Sequence, residues 1–141
     1  SIPVLVKTNN QLIDAIINNK IINADMKHIK VECLINVPQQ FHIQDYILND
    51  LLSNKLDNAI ENCPENGLIK VNIIYEQQIL HIQVENDIDQ LFDQTLKTKK
   101  DRKYHGYGLK SIRRIVNQYH GNLDIDYSDK TFIIQISLLA E

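Results

Sequence analysis

Cysteine is scarce in this chain. Only Cys33 and Cys63 occur among 141 residues, too few and too unpatterned for a disulfide scaffold or a zinc site, so both are expected to be reduced as in a cytosolic protein. No run approaches the roughly 18 apolar residues of a membrane span, and no secretory signal opens the chain. A basic excess is missing too. The net charge of −3 and a pI near 5.9 argue against general nucleic-acid or membrane-surface binding, so any positive charge that matters must be local. Repeats and low-complexity tracts are absent. The chain begins without Met and goes almost directly into structure, which suggests a piece of a longer protein. What remains is 43% hydrophobic, enough for one compact domain over residues 1–141 with a real core.

The most informative stretch runs from Ile47 to Cys63. Its apolar residues Leu48, Leu51, Leu52, Leu56, Ala59 and Ile60 recur three and four apart, as one buried face of a helix requires. At about 100° per residue, Asn54, Asn58 and Glu61 fall on a narrow stripe opposite most of that face, with Asp57 at its edge. Asn and Asp compete with the helix backbone for hydrogen bonds, so Glu, Lys or Gln would suit a merely solvated stripe better. Carboxamide oxygens are neutral ligands for a hard cation such as Mg²⁺, which is held by few protein groups together with waters and substrate phosphates. The bland alternative is a solvated surface in an Asn-rich chain.

Upstream, Thr8 to Ala24 reads as an amphipathic helix with Asn9 or Asn10 as its N-cap. His28 to Val37 alternates in part and stops at Pro38, as a strand does. After the central helix, Pro64 to Gly67 is a turn, and Leu68 to Tyr75 with Ile79 to Val84 form a hairpin across Glu76 to Gln78. From Asn86 to His105 the chain is polar, with a basic cluster at Lys97, Lys99, Lys100, Arg102 and Lys103. A loop of that length inside a compact domain is uncommon and usually functional. Gly106 to Tyr119 resumes a helical pattern that Gly121 is expected to end as the C′ residue, and Leu123 to Tyr127 with Lys130 to Leu139 form a terminal hairpin. This order predicts an α+β fold, a two-layer sandwich whose mixed sheet is covered on one face by about three helices.

A second motif, His105-Gly106-Tyr107-Gly108-Leu109, lies where the basic loop feeds a helix. Glycines there let the backbone approach an anion closely, and the first free N–H groups and the positive end of the helix dipole attract phosphate. GxG alone also fits a flexible helix entry. Here it coincides with the basic loop and the Asn-bearing helix.

At these residues the sequence resembles the GHKL ATPase family, and within it the ATP-binding catalytic domain of sensor histidine kinases. NKLDNAIENC is similar to the family's N-box, and HGYGLKSIRRIVNQYHGNL to its second glycine box with the helix and strand that follow. LDNAIE and TKKDRKYHGYGLKSI resemble most the Agr-type subgroup, which senses peptide pheromones. The resemblance implies a Bergerat-type ATP-binding fold and ATP with Mg²⁺ as ligands. It implies that Asn58 coordinates Mg²⁺ and that Asn54 lies near the phosphates, at a position where hydrolytic relatives carry a water-activating Glu. Asn cannot serve as a general base at neutral pH, which favours transfer to a positioned acceptor over hydrolysis. Asn86 stands where the family places an adenine-reading Asp, and its oxygen can accept the same bond more weakly. Two departures stand out: the glycines that usually follow that Asp are missing from Asn86-Asp87-Ile88-Asp89, and Tyr104 replaces the first glycine of the second box. Thr131 resembles the family's strand Thr near adenine. The phosphates would meet Lys99, His105 and the Gly106, Tyr107, Gly108 and Leu109 segment.

Some residues read two ways. Lys99 or Lys100 neutralises a phosphate or belongs to a solvated loop; His105 bonds a phosphate or shapes the glycine turn. Glu61 orders water around the metal or caps the polar stripe, and His81 and Cys33 are core or strand-face residues. No histidine lies in a helical setting like the family's phospho-acceptor, so the acceptor is expected on a dimerisation helix outside this chain. The resemblance further implies a response regulator downstream, a homodimeric full-length kinase, and a cytoplasmic domain tethered to the membrane through a region N-terminal to this chain. Two other functions are compatible with the fold: a degenerate GHKL interaction module without nucleotide chemistry, and an anti-sigma-type protein-serine kinase.

Overall fold

The computed structural model describes residues 2–89 and 107–141. Helix α1 spans Gln11–Asp25, strand β1 Lys30–Asn36, helix α2 Asp45–Asn62, strand β2 Leu68–Glu76, strand β3 Ile79–Asp87, helix α3 Tyr107–Gln118, strand β4 Asn122–Tyr127 and strand β5 Thr131–Leu139.

Local chemistry explains the boundaries. Asn10 caps α1 by accepting from the Ile13 N–H at 3.1 Å, and Asp14 in the first turn accepts from the Thr8 backbone and hydroxyl at 2.9 and 2.6 Å, a negative charge at the positive end of the helix dipole. β1 and β2 pair in parallel. Parallel strands need a crossover of a dozen or more residues, and α2 is that crossover.

The sheet order is β1-β2-β3-β5-β4, antiparallel from β2 onward. Period-two alternation sends Ile69, Val71 and Ile73 of β2, Leu80, Ile82 and Val84 of β3, and Phe132, Ile134, Ile136 and Leu138 of β5 into one core. α1 packs beside β1, α2 over β3, and α3 over β4 and β5, so the helices lie on one face of a mixed sheet, as the sequence predicts.

Two turns depart from expectation. The β2–β3 hairpin turns at Gln77 and Gln78, with φ of 51° and 66°. Positive φ at both central positions of a two-residue loop normally selects Asn-Gly, and glutamine gains nothing there. At the end of α3 the left-handed residue is His120, φ 51°, and not Gly121. The N–H of Gly121 reaches Val116 O at 2.8 Å and that of His120 reaches Asn117 O at 3.2 Å, the bond pair of a Schellman cap with His120 at C′. Gly121 has a different reason to be glycine: a Cβ there would lie 1.8 Å from Ser137 O on β5. Close backbone approach, not left-handed conformation, is what it permits.

Candidate nucleotide site

The strand registers locate one end of the sheet. Asn86 of β3 pairs with Ile69 near the start of β2 on one side and with Phe132 near the start of β5 on the other. β2 follows α2 after a tight turn and runs back in the opposite direction, and α2 packs over β3, so the C-terminal half of α2 lies toward this end. β4 returns beneath α3 in the same way, ending at Tyr127 opposite Phe132, and this brings the first turn of α3 to the same end. Asn54, Asn58, Asn86 and the backbone of Tyr107, Gly108 and Leu109 therefore gather at one end of the helical layer, between α2 and α3.

The side chains differ in depth. Asn54 is exposed and donates through Nδ2 to Asp50 Oδ1 at 2.9 Å, an i, i−4 pair that leaves its carbonyl oxygen as an acceptor. Asn58 is only 7% exposed, and its backbone oxygen accepts from Asn62 Nδ2 at 2.8 Å. The expected stripe opposite the apolar face is therefore split: Asn54 faces outward, while Asn58 sits at the rim of the buried arc. Lys55, between them, is buried at 4%. Lys55, Asn58 and Glu61 each take part in an interaction of their own. Asp57 pairs with Lys20 of α1 at 2.7 Å, so it braces two helices and is not part of the polar stripe.

Asn86 is the polar residue of the helix-facing row of β3, 1% exposed. Its Nδ2 donates to Asp87 O at 3.0 Å, which turns Oδ1 the other way, and among the described residues no donor reaches that oxygen. A buried acceptor left without a partner costs roughly 1–3 kcal/mol, and a ligand donor would relieve that cost. The glycines missing after Asn86 have a structural counterpart. Ile88 is buried and its N–H donates to Lys130 O at 2.8 Å, so the chain continues the β3–β5 ladder at a point where glycines would loosen it. Asp87 accepts from the Leu68 N–H at 2.9 Å and ties the start of β2 to the same end.

Thr131 shares the end but not the face. It pairs with Asp87, and alternation sends it away from the helices; its hydroxyl lies 3.0 Å from that of Ser128 in the β4–β5 turn. Lys99, His105 and Gly106 lie outside the described residues. Lys55 escaped the sequence reading, although one signal pointed to it: position 55 lies four residues after Leu51 and four before Ala59, inside the apolar period.

Comparison with known proteins fits this geometry. A family profile described as the GHKL domain matches residues 41–139. The heme sensor protein HssS of Staphylococcus epidermidis is 24% identical over 104 residues, covering 68% of this chain and 23% of that protein. The adaptive-response sensory kinase SasA of Gloeothece citriformis is 27% identical over 114 residues, covering 71% of this chain and 28% of its own length. The chain thus spans about a quarter of the curated relatives it matches. Among solved structures, the catalytic domain of histidine kinase ThkA superposes with a TM-score of 0.71 at 19% identity, covering 92% of this chain and 91% of that one. A histidine kinase from Burkholderia phymatum gives 0.72 at 14% identity, covering 99% and 71%. The chain belongs to the GHKL domain family, and its fold is that of histidine kinase catalytic domains.

Proposed function

We propose that this chain is the ATP·Mg²⁺-binding catalytic domain of a sensor histidine kinase, donating the γ-phosphoryl group to a histidine on a dimerisation helix outside the chain. The observation that carries the reading is Asn86: a buried acceptor without a donor among the described residues, at the same sheet end as Asn58 and the start of α3. An adenine amino group is the donor that would complete it.

In this reading Asn58 would hold Mg²⁺ through a neutral oxygen, and the ion, when bound, would supply charge neutralisation at the phosphates. Asn54, with its amide hydrogens directed to Asp50, presents an oxygen at the mouth of the site. It orients and cannot abstract a proton. The free N–H groups of the first turn of α3 face the phosphates. Catalysis is then positioning and charge stabilisation, and the isolated domain binds nucleotide while transferring little. The Agr-type resemblance of LDNAIE and TKKDRKYHGYGLKSI supports a peptide-sensing, membrane-anchored homodimer signalling to a response regulator, with this domain on the cytoplasmic side.

The test is a fluorescent-nucleotide titration with and without Mg²⁺. Asn58→Ala is expected to abolish the magnesium-dependent part of binding with the circular dichroism spectrum unchanged; unaltered binding removes the metal role. One observation favours a second reading, a degenerate interaction module: the ladder continues through Ile88 where the family has glycines. Failure of the unmodified chain to bind any nucleotide would decide for that module.

A further inference from the structure

Apolar exposure is concentrated on one flank of the molecule. Seven large apolar side chains are exposed among the described residues, and six of them, Ile2, Val4, Leu5, Ile22, Met26 and Leu34, belong to the first residues, to α1 and to β1. Single exposed apolar residues are ordinary, but a concentration of them marks an interaction surface. β1 is one edge of the sheet and β4 the other, and the two are not alike. β4 carries Asp124 and Asp126 in its exposed row, charges of the kind that keep an edge from pairing. In β1 the charges stop at Glu32, and the exposed row continues with Leu34, 61% exposed, and Asn36.

The β1 edge is also open. The Lys30 N–H donates to Gly67 O at 3.1 Å, so in the parallel ladder Lys30, Glu32, Leu34 and Asn36 direct their backbone groups to β2, and Val31, Cys33 and Ile35 direct theirs outward. Among the described residues nothing pairs with those outward groups. The chain's own first residues could cover them, but α1 holds that segment instead. Asn18 accepts from the Val6 N–H at 2.7 Å and donates to Val6 O at 3.0 Å, and Asp14 accepts from the Thr8 N–H at 2.9 Å. A groove of about 420 Å³, lined by Ile2, Val4, Ile29 and Val31 among others, lies between the first residues and the start of β1.

We propose that β1 pairs antiparallel with β1 of a second copy of this chain, across a two-fold axis at Leu34, and so joins two five-stranded sheets into one. The side chains select this register. Outward-bonding residues must oppose one another in hydrogen-bonded pairs, so the axis can fall on Glu32, Cys33 or Leu34. An axis on Glu32 sets two carboxylates directly opposite, which is destabilising. An axis on Cys33 sets each Glu32 against Leu34 of the second copy. An axis on Leu34 sets the two leucines against each other in a non-hydrogen-bonded pair, where side chains come closest, and matches Cys33 with Ile35 and Glu32 with Asn36. Like charges are then apart and the most exposed side chain of the strand is covered. The contact uses no nucleotide and is independent of the nucleotide reading. Two-fold pairing is the commonest closed assembly, and in the homodimer proposed above the two domains would meet at about millimolar effective concentration, where a weak contact suffices.

The experiment is sedimentation equilibrium of the whole chain under reducing conditions, from about micromolar to about millimolar concentration. A reversible dimer is expected, with the Val31, Cys33 and Ile35 amides exchanging more slowly as concentration rises. Leu34→Lys, at an exposed position, is expected to weaken association at least about tenfold and to leave the thermal melt of the monomer unchanged. The register is read by oxidation of a Cys33→Ser chain, whose remaining Cys63 is buried. Adding Leu34→Cys is expected to give an intermolecular disulfide, because directly opposed residues bring their Cβ atoms within disulfide reach. Adding Glu32→Cys is expected to give none, because its copy lies about 13 Å away along the strands. A chain that stays monomeric throughout overturns the proposal; if its β1 amides are protected at every concentration, its own first residues cover the edge. Association that Leu34→Lys leaves intact overturns it too, as does an associating chain in which Leu34→Cys forms no disulfide.

Discussion

The two ends of the sheet handle polar groups in opposite ways. At the end holding the β2–β3 turn, the chain closes on itself. Tyr75 donates its hydroxyl to Ala140 O at 2.8 Å, the Ala140 N–H reaches Gln78 O at 2.7 Å, and the Leu139 N–H reaches Tyr119 O at 2.9 Å. Phe41 stacks on Tyr75 with ring centroids 5.6 Å apart, and the Tyr119 hydroxyl accepts from the Gln44 N–H at 3.5 Å, joining α2 to the end of α3. At the other end, Asn86 keeps a buried oxygen unsatisfied within the described chain, and a lysine lies inside an apolar arc. One end is finished by the chain itself, while at the other the Asn86 oxygen has no donor among the described residues. Substitutions at the closed end should therefore change stability and spare ligand affinity, and those at the open end should do the reverse.

The largest effect is expected at Gly121, near the closed end. Gly121→Ala places a methyl 1.8 Å from Ser137 O and should cost about 3 kcal/mol by urea denaturation, with nucleotide affinity of the folded fraction unchanged. At the open end, Asn86→Leu should weaken ATP by more than tenfold, the loss of at least about 1.4 kcal/mol of binding. Its melting temperature should hold or rise, because an unsatisfied buried acceptor has gone. A fall in both would mean that Asn86 serves the fold. Tyr75→Phe removes the bond to Ala140 O and should cost about 1 kcal/mol without altering ligand binding. Replacing Gln77-Gln78 by Asn-Gly fits the positive φ at both positions and should stabilise by about 1 kcal/mol; no gain would indicate that the glutamine side chains serve the turn.

A separate effect depends on pH. Burial lifts the thiols of Cys33 and Cys63 from an ordinary 9.0 to about 11, with the Asp87 charge adding to the rise at Cys63 and a backbone hydrogen bond at Asp87 opposing it. Between those values the unfolded chain releases thiol protons that the native chain retains, so stability should fall as pH rises from about 9 toward 11 and stay level with respect to these groups below that. Denaturation midpoints across that range, compared with those of Cys63→Ala, check it: the variant should show a shallower decline.

Much of the architecture could be read ahead of the coordinates because it rests on local rules. The apolar spacing of Leu48 to Ile60 makes α2, Asn10 caps α1, Pro38 stops the first strand, and Ser128-Asp129 turns the last hairpin. What escaped depends on neighbours distant in sequence. Lys55 looks like any helix-surface lysine until the burial of its stripe is known. Asn58 reads as an outer-face residue because only apolar positions define the inner one. Gly121 reads as the left-handed cap because glycine usually fills that place; its actual constraint comes from Ser137, which no local pattern announces. Thr131 resembles the family's strand Thr near adenine, yet strand alternation sends it to the face opposite Phe132 and the helices.

The crossover role of α2 carries one further consequence. The helix that bears Asn54, Lys55 and Asn58 is also the tether by which β1 reaches its parallel partner. A molecule seated on those residues would hold the crossover that joins β1 to β2. Occupancy would then be felt far away, as slowed amide exchange along β1 and β2 that grows with the logarithm of concentration above the dissociation constant.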